Sequence, residues 1–214
     1  MSLARTLSEE IVLEEQSVGP VGSIFDEELA IVRNAIGKRR REFACGRQCA
    51  HRALQRMGMS AAAILSGPDR APVWPSGIVG SITHCDGYCA AALARATEIA
   101  SVGIDAELIT PLDLQVLEIM ASPEERRDLQ KLPAELPSLW PCTLFSAKEA
   151  IFKCWYPLTK HWLNFHDAKL SIDPSTCSFE AELLVLSPNF PRKVRGRFHH
   201  SLTHVFTAIE IAAR

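Results

Sequence analysis

No run of about 18 apolar residues occurs in the 214 residues, so no membrane span is expected. The first ten residues reach Glu9 and Glu10 before an apolar signal core could form, which argues against a secretory leader. No C-x-x-C pair is present, and the seven cysteines are an odd number, as suits reduced thiols in a cytoplasm. Cys45 and Cys49, and again Cys85 and Cys89, stand four apart with His51 and His84 nearby, but the usual zinc-ligand spacings are missing. Small buried thiols are the expectation. Nor is there an excess of one charge. Lys plus Arg total 23 against 25 Asp plus Glu, a formal net charge of −2, so any basic patch is local and a nucleic-acid partner is not expected. No internal repeat is legible.

What remains is an ordinary globular composition, 47% hydrophobic and 22% charged, with enough chain for one large domain or two small ones. Residues 8–18 alternate acid and aliphatic and predict a short strand. Asp26 is placed to cap a helix running to about Ile36 with Gly37 as its stop, and a second helix is expected from Arg39 to Met57, ended by Gly58. A loop dense in Pro and Gly covers 66–77. Strands follow at Ile78–His84, Tyr88–Ala94 and Ile99–Asp105, with Asp86-Gly87 as a hairpin turn. A polar, proline-marked region leads to a helix starting near Pro123 and then a helix over Phe145–Trp155. The last fifty residues alternate like antiparallel strands. Helices, strands, helices, strands in that order suggest an α+β protein built in two halves.

Three carboxylates stand out. Asp105 and Glu107 are two apart at the end of an apolar strand, which puts both on one face. Alone they read as solvated acids. Glu149 lies on the aromatic-rich helix F-S-A-K-E-A-I-F-K-C-W, four residues before Lys153 on the same face, where an ordinary helix-surface ion pair is the plain reading. Lys148 points elsewhere. Acids at the edge of a core need a partner, and a hard divalent cation suits three carboxylates. On the second helix, Arg47 falls in the middle of the apolar face while Arg41, Arg52 and Arg56 point toward solvent. Arg47 is a structural salt bridge or a fork held to grip phosphate. The run Gly77–His84 ends in a histidine after two hydroxyl residues, and its flanking glycines would let backbone N–H groups approach an anion.

These residues carry a resemblance. G-x-x-x-A-H-R preceded by K-R-R-R-E-F (38–52), R-A-P-V-W-P (70–75), G-S-I-T-H-C (80–85), V-G-I-D-A-E (102–107) and F-S-A-K-E-A-I-F-K-C-W-Y-P-L-T-K (145–160) together resemble the 4′-phosphopantetheinyl transferases. Within them the chain is similar to the bacterial group of the enterobactin-synthase transferase and the Sfp-type enzymes. The likeness runs in order over most of residues 38–165.

The resemblance implies an α+β fold of two similar halves about a pseudo-twofold axis, with the active site between residues 1–100 and 101–214. It implies transfer of phosphopantetheine from coenzyme A to a serine of an apo acyl or peptidyl carrier protein, releasing adenosine 3′,5′-bisphosphate. Mg2+ is the implied cofactor, with Mn2+ as the alternative, and a monomer is implied. By position, Asp105, Glu107 and Glu149 match the metal-site acids, and Glu149 also the base. Lys153 matches a catalytic and pyrophosphate-contacting lysine, and His84 a histidine on the coenzyme A phosphates. Arg39 and Arg47 match basic positions on the 3′-phosphate, and Arg70 belongs to a loop near the nucleotide. Segment 109–142, with Arg126, Arg127 and Lys131, is the expected docking surface for an acidic carrier protein.

Overall fold

The computed structural model describes residues 2–20, 22–67, 69–134 and 138–213. A 3-10 turn at Leu3–Thr6 leads into strand β1 (Val12–Ser17) and helices α1 (Asp26–Ile31) and α2 (Gly37–Arg56). Strands β2 (Ile78–Cys85), β3 (Tyr88–Arg95) and β4 (Ile99–Leu108) follow, then helices α3 (Leu114–Met120), α4 (Pro123–Leu129) and α5 (Leu139–Thr159). The chain ends with β5 (Ala168–Asp173), β6 (Ser178–Leu183), β7 (Lys193–His200) and β8 (His204–Ala212). The class is mixed α+β, as the sequence pattern suggests. Among the described residues no helix is long and apolar enough to cross a membrane.

The strands form two antiparallel sheets, β1-β3-β2 and β4-β8-β7-β6-β5. Strand β3 is central in its sheet, and Tyr88 through Ala94 are buried. Its residues are mostly small because both faces are covered. Cys89, Ala91 and Leu93 meet α2, while Ala90, Ala92 and Ala94 meet the second sheet's Ile104, Phe206 and Ala208. The hairpin from β2 to β3 turns at Asp86-Gly87, with Gly87 at φ +77°, a conformation that suits glycine. In the larger sheet, Phe179, Leu183, Leu170 and Ile209 pack against Ile151 and Trp155 of α5. Each such buried side chain contributes about 2 kcal/mol of apolar transfer.

The seam between the sheets positions the site. Strand β4 lies along β2, where the Ile104 N–H donates to the Ser81 hydroxyl at 3.1 Å. Helix α5 crosses β4 at Gly103. A Cβ there would collide with the Ala150 carbonyl and stand 2.8 Å from the Cys154 amide nitrogen, so only glycine lets the helix come this close.

Several expectations change. Gly37 begins α2 rather than ending a helix, and α1 stops at Ile31. Asp26 does not cap it: Phe25 is the N-cap, and the buried Glu28 carboxylate accepts the Phe25 N–H at 3.1 Å. Helix α5 extends well beyond Phe145–Trp155 at both ends. Arg52 and Arg56 reach solvent as expected, and both also donate to Glu14 of β1, at 3.2 and 2.8 Å. Run 78–84 forms the expected strand within β2, with Gly80 in register with Leu93, and Gly77 just before it is a turn residue at φ +78°. Six cysteines are buried and Cys177 is exposed, none bridged.

Candidate functional site

The side chain of Asp105 points from β4 into the seam and is 3% exposed. Its Oδ1 accepts from the Lys153 ammonium at 2.6 Å and from the Thr83 hydroxyl at 3.1 Å. Lys153 comes from α5 and donates also to the Ile104 carbonyl at 3.2 Å, with a longer contact to Thr83 at 3.4 Å. The lysine therefore serves Asp105 across the seam instead of pairing with Glu149 along its own helix. Both strands and the helix meet at this one carboxylate.

Glu107 and Glu149 complete the acidic group. The Glu107 carboxyl is pushed up to about 8, first by burial and then by the charges of Asp105 and Glu149, with Lys153 opposing. Glu149 is raised as well, by burial first and then by Asp105. The three acids are near enough to feel one another's charge, with one ammonium opposing, which disfavours full ionisation of all three. The enclosed Asp105 Oδ2 has no hydrogen-bond partner. A buried oxygen left without a donor is costly, and a hard divalent cation would satisfy it while bringing both glutamates back toward ionisation. Carboxylate oxygens are the donor type that Mg2+ or Mn2+ takes. Among the described residues, no three His, Cys, Asp or Glu side chains stand close enough to form a metal cluster as placed; Lys153 stands beside Asp105 in this arrangement.

The basic side of the site comes from α2. His84, next to last in β2, has Nε2 2.5 Å from an Arg39 guanidinium nitrogen and Nδ1 3.7 Å from Glu42. Arginine can only donate, so Nε2 accepts and Nδ1 carries the proton toward Glu42. Burial and then Arg39 hold His84 below the ordinary imidazole range. Lys38 pairs with Asp86 at 3.0 Å. His84, Glu42, Glu107, Leu112, Cys142 and Phe145 are among the walls of a cleft of about 330 Å³. It brings Lys38 and His84 into one space with Glu107, while Asp105, Glu149, Lys153 and Arg39 are not among its walls.

Arg47 is placed differently. It is 5% exposed, stacks over the Phe43 ring at 4.5 Å, and donates to the Ser66 hydroxyl at 3.3 Å. Its Nε is 4.0 Å from Glu28 and makes no hydrogen bond. Burial pulls this guanidinium down to about 10, with Glu28 opposing. Arg70 lies exposed at φ 64° in the loop, where its neighbour Asp69 accepts from the Tyr156 hydroxyl of α5. Pro68 of that loop lies outside the described residues. Trp74 is half-buried and donates to the Gly80 carbonyl at 3.0 Å.

The structure thus gathers Asp105, Glu107, Glu149, Lys153, His84 and Arg39 around the seam, with Arg47 and Arg70 on the loop side of α2. Sequence reasoning passed over Thr83 and Glu42. Thr83 was visible as one of two hydroxyl residues before His84, and Glu42 as the acid inside a basic run.

Two family models cover most of the chain. The 4′-phosphopantetheinyl transferase N-terminal domain matches residues 26–94, and the 4′-phosphopantetheinyl transferase superfamily matches 101–210. The chain is 46% identical over 199 residues to the 4′-phosphopantetheinyl transferase Svp of Streptomyces mobaraensis, covering 91% of this chain and 81% of that one. It is 39% identical over 217 residues to PptT of Mycobacterium tuberculosis, covering 97% and 95%. Npt of Nocardia iowensis is 42% identical over 162 residues, 72% of each.

Proposed function

The chain belongs to the 4′-phosphopantetheinyl transferase superfamily, and from that premise we propose how its residues move phosphopantetheine from coenzyme A to a carrier protein. The transferase reaction is a phosphoryl transfer. A serine oxygen attacks the phosphorus that bears the pantetheine, the bond to the bridging oxygen breaks, and adenosine 3′,5′-bisphosphate leaves with that oxygen. The serine proton must go to a base, and negative charge builds on the departing phosphate.

Glu149 takes the serine proton. Its position, half-buried beside Asp105, keeps its carboxylate more basic than usual. Asp105, Glu107 and Glu149 would together hold Mg2+, or Mn2+ in its place. When bound, such an ion supplies Lewis-acid stabilisation of charge on the diphosphate oxygens. Lys153 releases Asp105 to that role and carries its ammonium toward the same oxygens. Arg39 and His84 contact the coenzyme A phosphates; an arriving anion competes for the guanidinium that now faces His84 Nε2. Arg47, with Arg39, grips the 3′-phosphate end and Arg70 lies in the loop near the nucleotide, so remote binding energy aligns the reacting diphosphate. Residues 1–100 then serve chiefly the nucleotide and 101–214 the acids and base. The protein works as a monomer in the cytoplasm.

An acidic carrier protein docks on segment 109–142. A groove of about 810 Å³ runs there between Leu114, Leu117, Pro123, Leu129 and Trp140, with Arg126 and Arg127 on its border. Trp140 and Pro141 in the groove directly precede Cys142 and Phe145 of the reaction cleft on α5, so a partner seated in one reaches the other. Residues 135–137 of the segment lie outside the described residues.

One observation carries the reading: the enclosed, partnerless oxygen of Asp105, set against two glutamates whose carboxyls are both raised. The test is intact mass of apo carrier proteins after incubation with the protein, coenzyme A and Mg2+. The expected result is a gain of one phosphopantetheine that disappears with EDTA. Release of free phosphopantetheine without any carrier protein would point to a hydrolase instead.

A further inference from the structure

The lysine next to Glu149 does not enter the cleft. Lys148 is 3% exposed, and its ammonium donates to the Met120 carbonyl at 2.9 Å, to the Phe165 carbonyl at 2.8 Å and to Glu125 at 2.9 Å. Glu125 is itself 2% exposed. One of its oxygens accepts the Ser122 N–H at 2.8 Å, closing the capping box of α4, and the other accepts the Leu170 N–H at 2.9 Å. A single buried pair thus joins the end of α3, the first turn of α4, the start of β5, the 3-10 turn Phe165–Asp167 and the middle of α5.

Its location matters more than its strength. Helices α3 and α4 supply Leu114, Leu117, Pro123, Arg126 and Arg127 to the groove, and α5 adds Trp140 and Pro141 at its start and carries Glu149 and Lys153 further along. The pair is the polar link between these two working parts. Buried ion pairs rarely stabilise a fold more than a well-packed apolar pair of the same volume would, so stability alone is a weak reason to keep one here. Geometry is a stronger reason. A side-chain tip about 6 Å from a helix axis moves about 1 Å when the helix turns by roughly 10°, and a misplacement of about 1 Å can cost about 100-fold in rate.

We propose that Glu125 and Lys148 are positioning residues that lock the carrier-docking wall of α3 and α4 to α5, so that Glu149 stays aligned to the serine of a seated carrier protein. This rests on the carrier-protein reading above. Neither residue touches substrate; both act through Glu149.

The variant that decides it is the apolar pair E125L/K148M, which removes both charges together and leaves no buried ion unpaired. Melting temperature, coenzyme A affinity by calorimetry, and kcat and KM for apo carrier protein are measured beside the parent. The expected result is a folded protein with a lowered melting temperature, because the Ser122 and Leu170 N–H groups and the Met120 and Phe165 carbonyls lose their partners. Well below that temperature, coenzyme A affinity is expected within about twofold and kcat lowered by about tenfold or more. A folded E125L/K148M with kcat within about twofold of the parent overturns the proposal, because the pair would then be structural filling. Should the apolar pair fail to fold, Glu125→Gln is assayed at a temperature where circular dichroism shows it folded, and the same comparison of kcat with coenzyme A affinity decides. A parent that modifies no carrier protein would instead defeat the functional reading beneath it, so the two failures are distinguishable.

Discussion

The two long helices handle charge in opposite ways. Helix α2 shows Lys38, Arg39, Arg40 and Arg41 to solvent in its first turns, encloses Arg47 further along, and buries small residues, Cys45, Cys49, Ala50 and Ala53, against β3. Helix α5 buries almost its whole circumference, Lys148 included, and leaves Glu149 and Lys153 only partly open along the seam. Long exposed cations can follow an anion as it arrives. A carboxylate and an ammonium fixed in a packed helix cannot, and their alignment is set by the fold. On the function proposed above, capture of substrate then falls to the first half and chemistry to the second.

That division fails first if Glu149 is not the base. Glu149→Gln keeps the shape and removes the charge, and a fall in kcat of about 10³-fold is expected, with coenzyme A affinity in the absence of metal little changed. Stopped-flow or mass-resolved turnover with a carrier protein measures it; retained turnover would move the base elsewhere. Next in size comes the junction itself. Gly103→Ala forces the added methyl into the Ala150 carbonyl, so a loss of about 3 kcal/mol is expected in a urea denaturation curve. If Gly103→Ala leaves stability and activity intact, α5 is not held rigidly on β4 and the contrast between the helices weakens. On the first half, His84→Ala should act on binding instead. Losing a hydrogen bond to a charged phosphate costs about 2 kcal/mol, read as a KM for coenzyme A raised by about 30-fold with kcat nearly unchanged. A loss confined to kcat would place His84 in the chemistry and blur the division.

Much of this was legible in the chain itself. The hairpin at Asp86-Gly87, the end of α2 just before Gly58 and the strand bearing Asp105 and Glu107 follow from turn chemistry and local periodicity, which need no knowledge of distant residues. Gly37 misled because glycine punctuates either end of a helix, and the choice was made by Glu28 folding inward to cap α1 and meet His51 and the Ile64 N–H. Lys153 misled for a deeper reason. A helical projection shows only neighbours on the same helix, so it pairs the lysine with Glu149; the winning partner, Asp105, is 48 residues away and within 2.6 Å. Lys148 shows the same limit, since its acceptors come from α3, α4 and the turn after α5. Arg52 and Arg56 reach the solvent that local pattern assigns them, but their partner Glu14 on β1 was not visible locally. The site's membership could be read from motifs, but who holds whom could not.

The smallest effect is expected at the edge of the groove. Arg126 pairs with Glu118 at 2.9 Å, and the Arg127 guanidinium donates to the Pro123 carbonyl at 3.3 Å, so both sit at the groove border and are already partly engaged by their own chain. Exposed charges of this kind are worth little each, up to about 1 kcal/mol, and act over a screening length of about 8 Å at physiological salt. Their effect on an acidic partner should therefore appear in encounter more than in chemistry. The double reversal R126E/R127E is expected to raise KM for carrier protein by about fivefold at low salt, with kcat and KM for coenzyme A unchanged. The penalty should shrink as salt rises, because screening removes repulsion and attraction alike. A KM that stays level in R126E/R127E would take the docking surface away from α4, and α5 would then have to receive its second substrate from another side of the seam.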